Sequence, residues 1–180
     1  STPWVKAANH QGRPPILSYA SYCLDNWFLV DSDKPISLEN VGLINNFLGG
    51  VDEDWFVTIH VCIENAASEA MQACSEIVDC DSTSSEKDVS KLLIQIIDSM
   101  KEVNSIFARM PEKCDPYIYY HRVRPFIFGT KDNPDLKNGL IYMGEFENKP
   151  QFYRGETGAQ SSIIPSLDGA LQITHTKDHL

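Results

Sequence analysis

The most regular pattern of apolar and polar positions lies in the middle of the chain. Trp55, Ile59, Cys62, Ile63 and Ala66 recur at steps of three and four residues, and Ala70, Cys74 and Ile77 continue that side. This spacing predicts a long helix over 55–78. Asp52, Glu53 and Asp54 open it, where carboxylates suit the positive end of a helix dipole. A polar loop follows at 81–85, and Thr83 with Glu86 makes a capping-box signature. From there Val89, Leu92, Ile96, Met100, Val103 and Phe107 trace a broad apolar stripe to Met110, where Pro111 stops it. Two long helices joined by a short polar loop predict an antiparallel hairpin.

The flanking text is less periodic. Residues 1–30 read as irregular apart from a short helix over 16–24, started by Pro14 or Pro15. Ser37 is a candidate N-cap for a helix carrying Val41, Ile44, Phe47 and Leu48, closed by Gly49-Gly50. Asp115-Pro116 opens an aromatic helix running to Gly129, with a kink expected at Pro125. Turn signals then dominate, around one extended run at 140–142. Helical periodicity returns over 160–174, with another kink expected at Pro165. The fold class predicted is all-α.

Composition narrows the function classes. With 42% hydrophobic and 10% aromatic residues, 180 positions suffice for one domain with a real core. A formal charge of −10 disfavours nucleic acid as a partner, because phosphate binding needs a dense positive face. No apolar run is long enough for a membrane, and residues 1–9 show no secretory pattern. The five cysteines form no C-x-x-C pair, which favours reduced thiols in a cytoplasmic protein over disulfides or structural zinc.

Several residues could carry chemistry. His60 sits mid-helix among apolar neighbours, with Phe56 four residues before it and Glu64 four after. It reads either as a core histidine satisfied by a nearby acceptor or as a catalytic, pocket-lining one. Arg124 stands in the most aromatic stretch, near Tyr119, Tyr120, Phe126 and Phe128. It is either a stacked structural cation or a fork for a ligand carboxylate in a site for an aromatic amino acid. The loop Gly155-Glu156-Thr157-Gly158-Ala159-Gln160-Ser161-Ser162 offers backbone N–H groups and hydroxyls to an anion, or is an ordinary helix start. His175 and His179 have metal-ligand spacing but no third partner, and a solvated terminal segment explains them better.

Ordered motifs carry more than any one residue. Arg13-Pro14-Pro15-Ile16-Leu17-Ser18-Tyr19-Ala20 with Asn26-Trp27 and Lys34-Pro35 forms the first. Arg122-Val123-Arg124-Pro125-Phe126-Ile127-Phe128-Gly129, then Asn133-Pro134 and Asn138-Gly139-Leu140-Ile141-Tyr142, forms the second. Gly158-Ala159-Gln160-Ser161-Ser162 is the third. In order and spacing this set resembles the indoleamine 2,3-dioxygenase family, which includes molluscan myoglobins.

The resemblance implies an all-helical haem domain, of which residues 1–180 would be the distal half. A small N-terminal domain would lie outside it, and the helices carrying the proximal haem histidine would lie beyond Leu180. No histidine here occupies that ligand's position, so no metal ligand is assigned within the chain. The isolated chain is therefore expected to bind hemin weakly and not to oxidise tryptophan. The implied reaction is cleavage of the indole C2–C3 bond of L-tryptophan by O₂ at haem b, giving N-formylkynurenine in the kynurenine pathway. Oxygen storage, or an inactive fragment, is the alternative. By position, Arg124 would clamp the substrate carboxylate and Phe56 would pack on the indole. Tyr19, Tyr120 and Thr157 would complete the substrate pocket, while Thr157, Gly158 and Ala159 would line the haem side. His60 falls where vertebrate indoleamine enzymes have serine and the sibling tryptophan dioxygenases have a distal histidine. Tyr22 replaces a smaller residue and is expected to alter pocket depth.

Overall fold

The computed structural model describes residues 2–80, 85–155 and 158–175. In chain order it contains helix α1 (Thr2–His10), strands β1 (Trp27–Leu29) and β2 (Val41–Leu43), and helices α2 (Val51–Ala66), α3 (Ser68–Val78) and α4 (Glu86–Phe107). The short helices α5 (Pro116–Ile118) and α6 (Arg124–Ile127) and the last helix α7 (Ile163–Ala170) follow. The molecule is mainly helical, and the predicted hairpin is present.

Its first arm is divided at Ala67, where α2 passes into α3. The Ser99 hydroxyl of α4 donates to the Ala66 carbonyl at this junction, at 2.6 Å. Small residues let the two arms approach: Ala70, Ala73 and Cys74 of α3 pack on Ile96 of α4. Thr83, the expected cap, lies outside the described residues. Ser85 caps α4 instead, accepting from the Asp88 N–H at 3.2 Å.

Helix α2 is the centre of the molecule. One side meets Tyr19, Tyr22, Cys23 and Ile127 through Val57, Val61 and Cys62. Another puts Trp55 and Ile59 against Cys114. Val57 and Ile59 are fully buried, each worth about 1.5–3 kcal/mol by removal from water. The start of α2 is held by Glu53, itself fully buried. Its carboxylate accepts the Phe47, Leu48 and Gly49 N–H groups, each at 2.8 Å, and the Tyr22 hydroxyl at 3.3 Å. One side chain thereby satisfies the loop entering the helix.

Four local expectations change. The irregular amino-terminal text contains α1, and the 16–24 helix shrinks to a π-helical turn over Ala20–Leu24. Where a helix was expected after Ser37, β2 pairs antiparallel with β1, Trp27 facing Leu43 and Leu29 facing Val41. The buried Asn40 amide decides this: it donates to the Asp31, Lys34 and Pro35 carbonyls and accepts from the Asp31 N–H, closing the loop between the strands. Pro165 produces no kink. It lies in the first turn of α7, where its missing N–H would have no intrahelical partner.

The fourth change bears on the site. Asp115 caps α5 through the Tyr117 and Ile118 N–H groups. The helix then widens into a π-helical stretch over Tyr119–Val123 before α6. Pro125 cannot donate back to the carbonyl four residues earlier, and widening absorbs that gap without ending the helix. Gly129 then bridges Arg154, and a Cβ on either Gly129 or Gly155 would collide with the other strand's backbone. Only glycine permits this approach, which sets Gly155 against the backbone of Ile127 to Gly129 at the end of α6. Among the described residues no helix is long and apolar enough to cross a membrane.

Candidate functional site

Two adjoining hollows meet at Gly158, and the side of α2 that bears Phe56 and His60 separates them. His60 is half-buried. Its Nδ1 lies 2.7 Å from the Phe56 carbonyl, which can only accept, so Nδ1 carries the proton and Nε2 is left as an acceptor. Burial pushes the His60 pKa down, opposed by the Phe56 carbonyl and the Glu64 carboxylate. The ring is therefore neutral at pH 7. Tyr19, almost wholly buried, stands edge-on to it with centroids 6.0 Å apart. The Tyr19 hydroxyl donates to Glu64 at 2.8 Å, and its backbone N–H donates to the Gln160 side chain at 2.7 Å. Gln160 thus ties the glycine-bearing loop to the π-helical turn.

The first hollow, about 550 Å³, is lined by Phe56, Tyr119, Arg124 and Phe128 with Lys131, Asp132, Arg154 and Gly158. Phe56 stacks on Tyr119, centroids 4.1 Å apart, and its ring also contacts His60 at 4.2 Å. Arg124 is exposed, with its guanidinium 5.4 Å from the Tyr120 centroid and 5.7 Å from that of Phe128. These stacked rings orient the fork, and among the described residues no carboxylate takes its donors. Aromatic walls beside such a guanidinium suit an aromatic acid.

The second hollow, about 440 Å³, is mostly apolar: Tyr19, His60, Ile63, Phe107, Ile163 and Ile164 line it with Glu64 and Gly158. Nothing lies within 4 Å of a Cβ built on Gly158, so a flat group can approach the loop backbone there. Ile164 and Phe107 stay more than half exposed, at 60% and 54%. An open apolar wall, a bare glycine and a neutral imidazole fit a planar, largely apolar group such as the haem that the resemblance implies.

Arg124 and Phe56 therefore share a hollow, His60 faces the neighbouring one, and Tyr19 joins it. Tyr120 does not line either; it is 58% exposed under Arg124, and Tyr119 takes the pocket position. Tyr22 is buried against Phe47 and Glu53 and lines neither hollow. Ala159 is exposed and outside the linings, and Thr157 lies outside the described residues. So do His179 and Leu180, the residue beyond which the proximal histidine was expected. His175 pairs with Asp168 at 2.7 Å, and no group of three His, Cys, Asp or Glu among the described residues could hold a metal ion. All five cysteines are free thiols, and burial pushes Cys62 and Cys114 up to about 11, so neither is a nucleophile. Sequence reading missed Lys131, Asp132 and Arg154, which carried no motif.

The chain matches the family model described as indoleamine 2,3-dioxygenase over residues 1–179. It is 35% identical over 175 residues to indoleamine 2,3-dioxygenase 1 of Rattus norvegicus, covering 97% of this chain and 43% of that protein. The corresponding enzyme of Saccharomyces cerevisiae is 29% identical, with 97% and 40% covered. A myoglobin of Haliotis madaka is 29% identical, with 99% and 45% covered. The chain spans less than half the length of these relatives.

Proposed function

The chain belongs to the indoleamine 2,3-dioxygenase family, and we propose that it forms the distal half of a haem-dependent enzyme that cleaves the indole C2–C3 bond of L-tryptophan to N-formylkynurenine. The observation carrying this reading is the shared hollow of Phe56, Tyr119 and Arg124 beside the apolar hollow faced by His60. Arg124 takes the carboxylate through paired hydrogen bonds, which fixes the amino acid's orientation. Phe56 and Tyr119 stack on the indole and exclude water from one face. His60 Nε2 is an acceptor on the adjoining hollow, with the Phe56 carbonyl holding the tautomer, and takes the indole N–H where the ring extends past Phe56. Tyr19 holds the His60 ring edge-on and anchors Glu64.

Haem, when bound, supplies the activation of O₂, both atoms of which enter the product. Ile63, Phe107, Ile163 and Ile164 would hold its apolar body over Gly158. The proximal histidine would come from residues beyond Leu180. Free thiols throughout suit a cytoplasmic setting.

Oxygen binding without turnover is the second reading, favoured by the abalone myoglobin relative. Arg124 argues against it, since an oxygen carrier has no carboxylate to hold. The test joins this chain to the remaining length of its relatives and supplies hemin, reductant, O₂ and L-tryptophan. N-formylkynurenine formation is expected. Reversible O₂ binding with no product would replace the enzymatic reading with the carrier.

A further inference from the structure

We propose that the Arg124 hollow has a second anion-binding point, formed by Lys131 and Arg154, and that it accepts aromatic ligands bearing two carboxylates. The proposal rests on the reading of this hollow as an aromatic-acid site.

Arg124, Lys131 and Arg154 line one cavity in which Asp132 is the only acid among the described lining residues. No described carboxylate lies within ion-pairing distance of any of the three, whereas Lys34, Lys91, Lys101, Arg109 and Lys149 each have an acidic partner. Residues 119–155 carry six Lys and Arg against four Asp and Glu, in a chain whose net charge is −10. A local positive excess in an acidic protein concentrates field where an anion would enter.

The backbone holds these cations together. Tyr153 O accepts the Thr130 N–H at 2.9 Å and the Lys131 N–H at 2.8 Å, and the Gly129–Arg154 bridge closes beside them. Lys131 and Arg154, distant in sequence, are brought by this backbone pairing into the lining of one cavity. One carboxylate is satisfied by the Arg124 fork. Lys131 and Arg154 remain for another, across a floor made by Phe56, Tyr119 and Phe128. That second carboxylate is either the ligand's own or a propionate of a porphyrin in the adjoining hollow.

Calorimetric titration of the purified chain with indole-3-propionate and with its 6-carboxy derivative, which keeps the indole N–H, tests this. The dicarboxylate should bind about five- to tenfold tighter, the modest gain expected of exposed pairs. The preference should shrink as salt rises and vanish in Lys131→Gln/Arg154→Gln, with the larger loss falling on the dicarboxylate. Arg154→Lys should retain most of it. An arm with hemin bound separates the sources. A preference that persists assigns the site to the ligand's second carboxylate; one abolished by hemin but not by hemin dimethyl ester assigns it to a propionate. Equal affinities without hemin, or a preference intact in the double variant, overturn the proposal alone. Binding of neither compound overturns it together with the aromatic-acid reading.

Discussion

Replacing Arg124 by leucine separates a structural arginine from a ligand-binding one. The side chain is exposed, unpaired among the described residues, and its stabilising contacts there are the faces of Tyr120 and Phe128 at 5.4 and 5.7 Å. Exposed cation–π contacts contribute about 0.5–1 kcal/mol each, and leucine recovers part of that by covering the same rings. Stability should therefore fall by no more than about 1 kcal/mol. A ligand carboxylate loses more, because a charged hydrogen bond contributes about 1.5–3 kcal/mol, or roughly ten- to hundredfold in affinity. The assay pairs urea denaturation with titration of L-tryptophan and of tryptamine, which lacks the carboxylate. Tryptophan binding should weaken by at least tenfold and tryptamine binding should barely change. Equal weakening of both, or a stability loss above about 3 kcal/mol, would show that the arginine supports the fold.

Other variants probe the frame around that site. Glu53→Gln leaves the Phe47, Leu48 and Gly49 N–H groups sharing one neutral oxygen-bearing amide in a buried place, and should cost about 3–5 kcal/mol of unfolding free energy in urea; a change below about 1 kcal/mol contradicts the accounting. His60→Ser should keep the fold and the hemin site while altering turnover in the extended protein, and loss of the helical circular-dichroism signal would instead make His60 a core residue. The wild-type chain should also lose stability as pH falls below the usual histidine value of about 6.5. The buried imidazole has a lowered pKa, so the unfolded chain binds the proton first, and stability rises with pH through that window. Comparing urea midpoints at about pH 7.5 and 5.5 should show a smaller drop in His60→Ser, and an identical drop would remove His60 as its source.

The long helices were legible because burial imposes its period on them: the stripe from Val89 to Phe107 needs no partner to be recognised. Arg124 and Phe56 were legible as a pair through the family motif, and His60 through its apolar setting. Tyr119 was not, since the family motif points to its neighbour Tyr120, and which of two adjacent tyrosines faces the hollow is set by the winding of Tyr119–Val123, which the motif does not encode. The strand at Val41–Leu43 escaped for a related reason. Its apolar spacing suited a helix, and a single side chain, Asn40, tipped the loop the other way. Lys131 and Arg154 meet only through the backbone pairing of 129–131 with 153–154, which the glycines at 129 and 155 allow but do not announce.

The most direct test of the central claim, that one hollow holds an aromatic amino acid beside another that holds haem, is spectroscopic. Hemin is titrated into the purified chain and the Soret band is recorded with L-tryptophan, with tryptamine and with neither. Hemin should bind weakly, with a band that shifts on adding tryptophan but not tryptamine, and the shift should disappear in Arg124→Leu. A band indifferent to tryptophan, or one that responds equally to tryptamine, would contradict it.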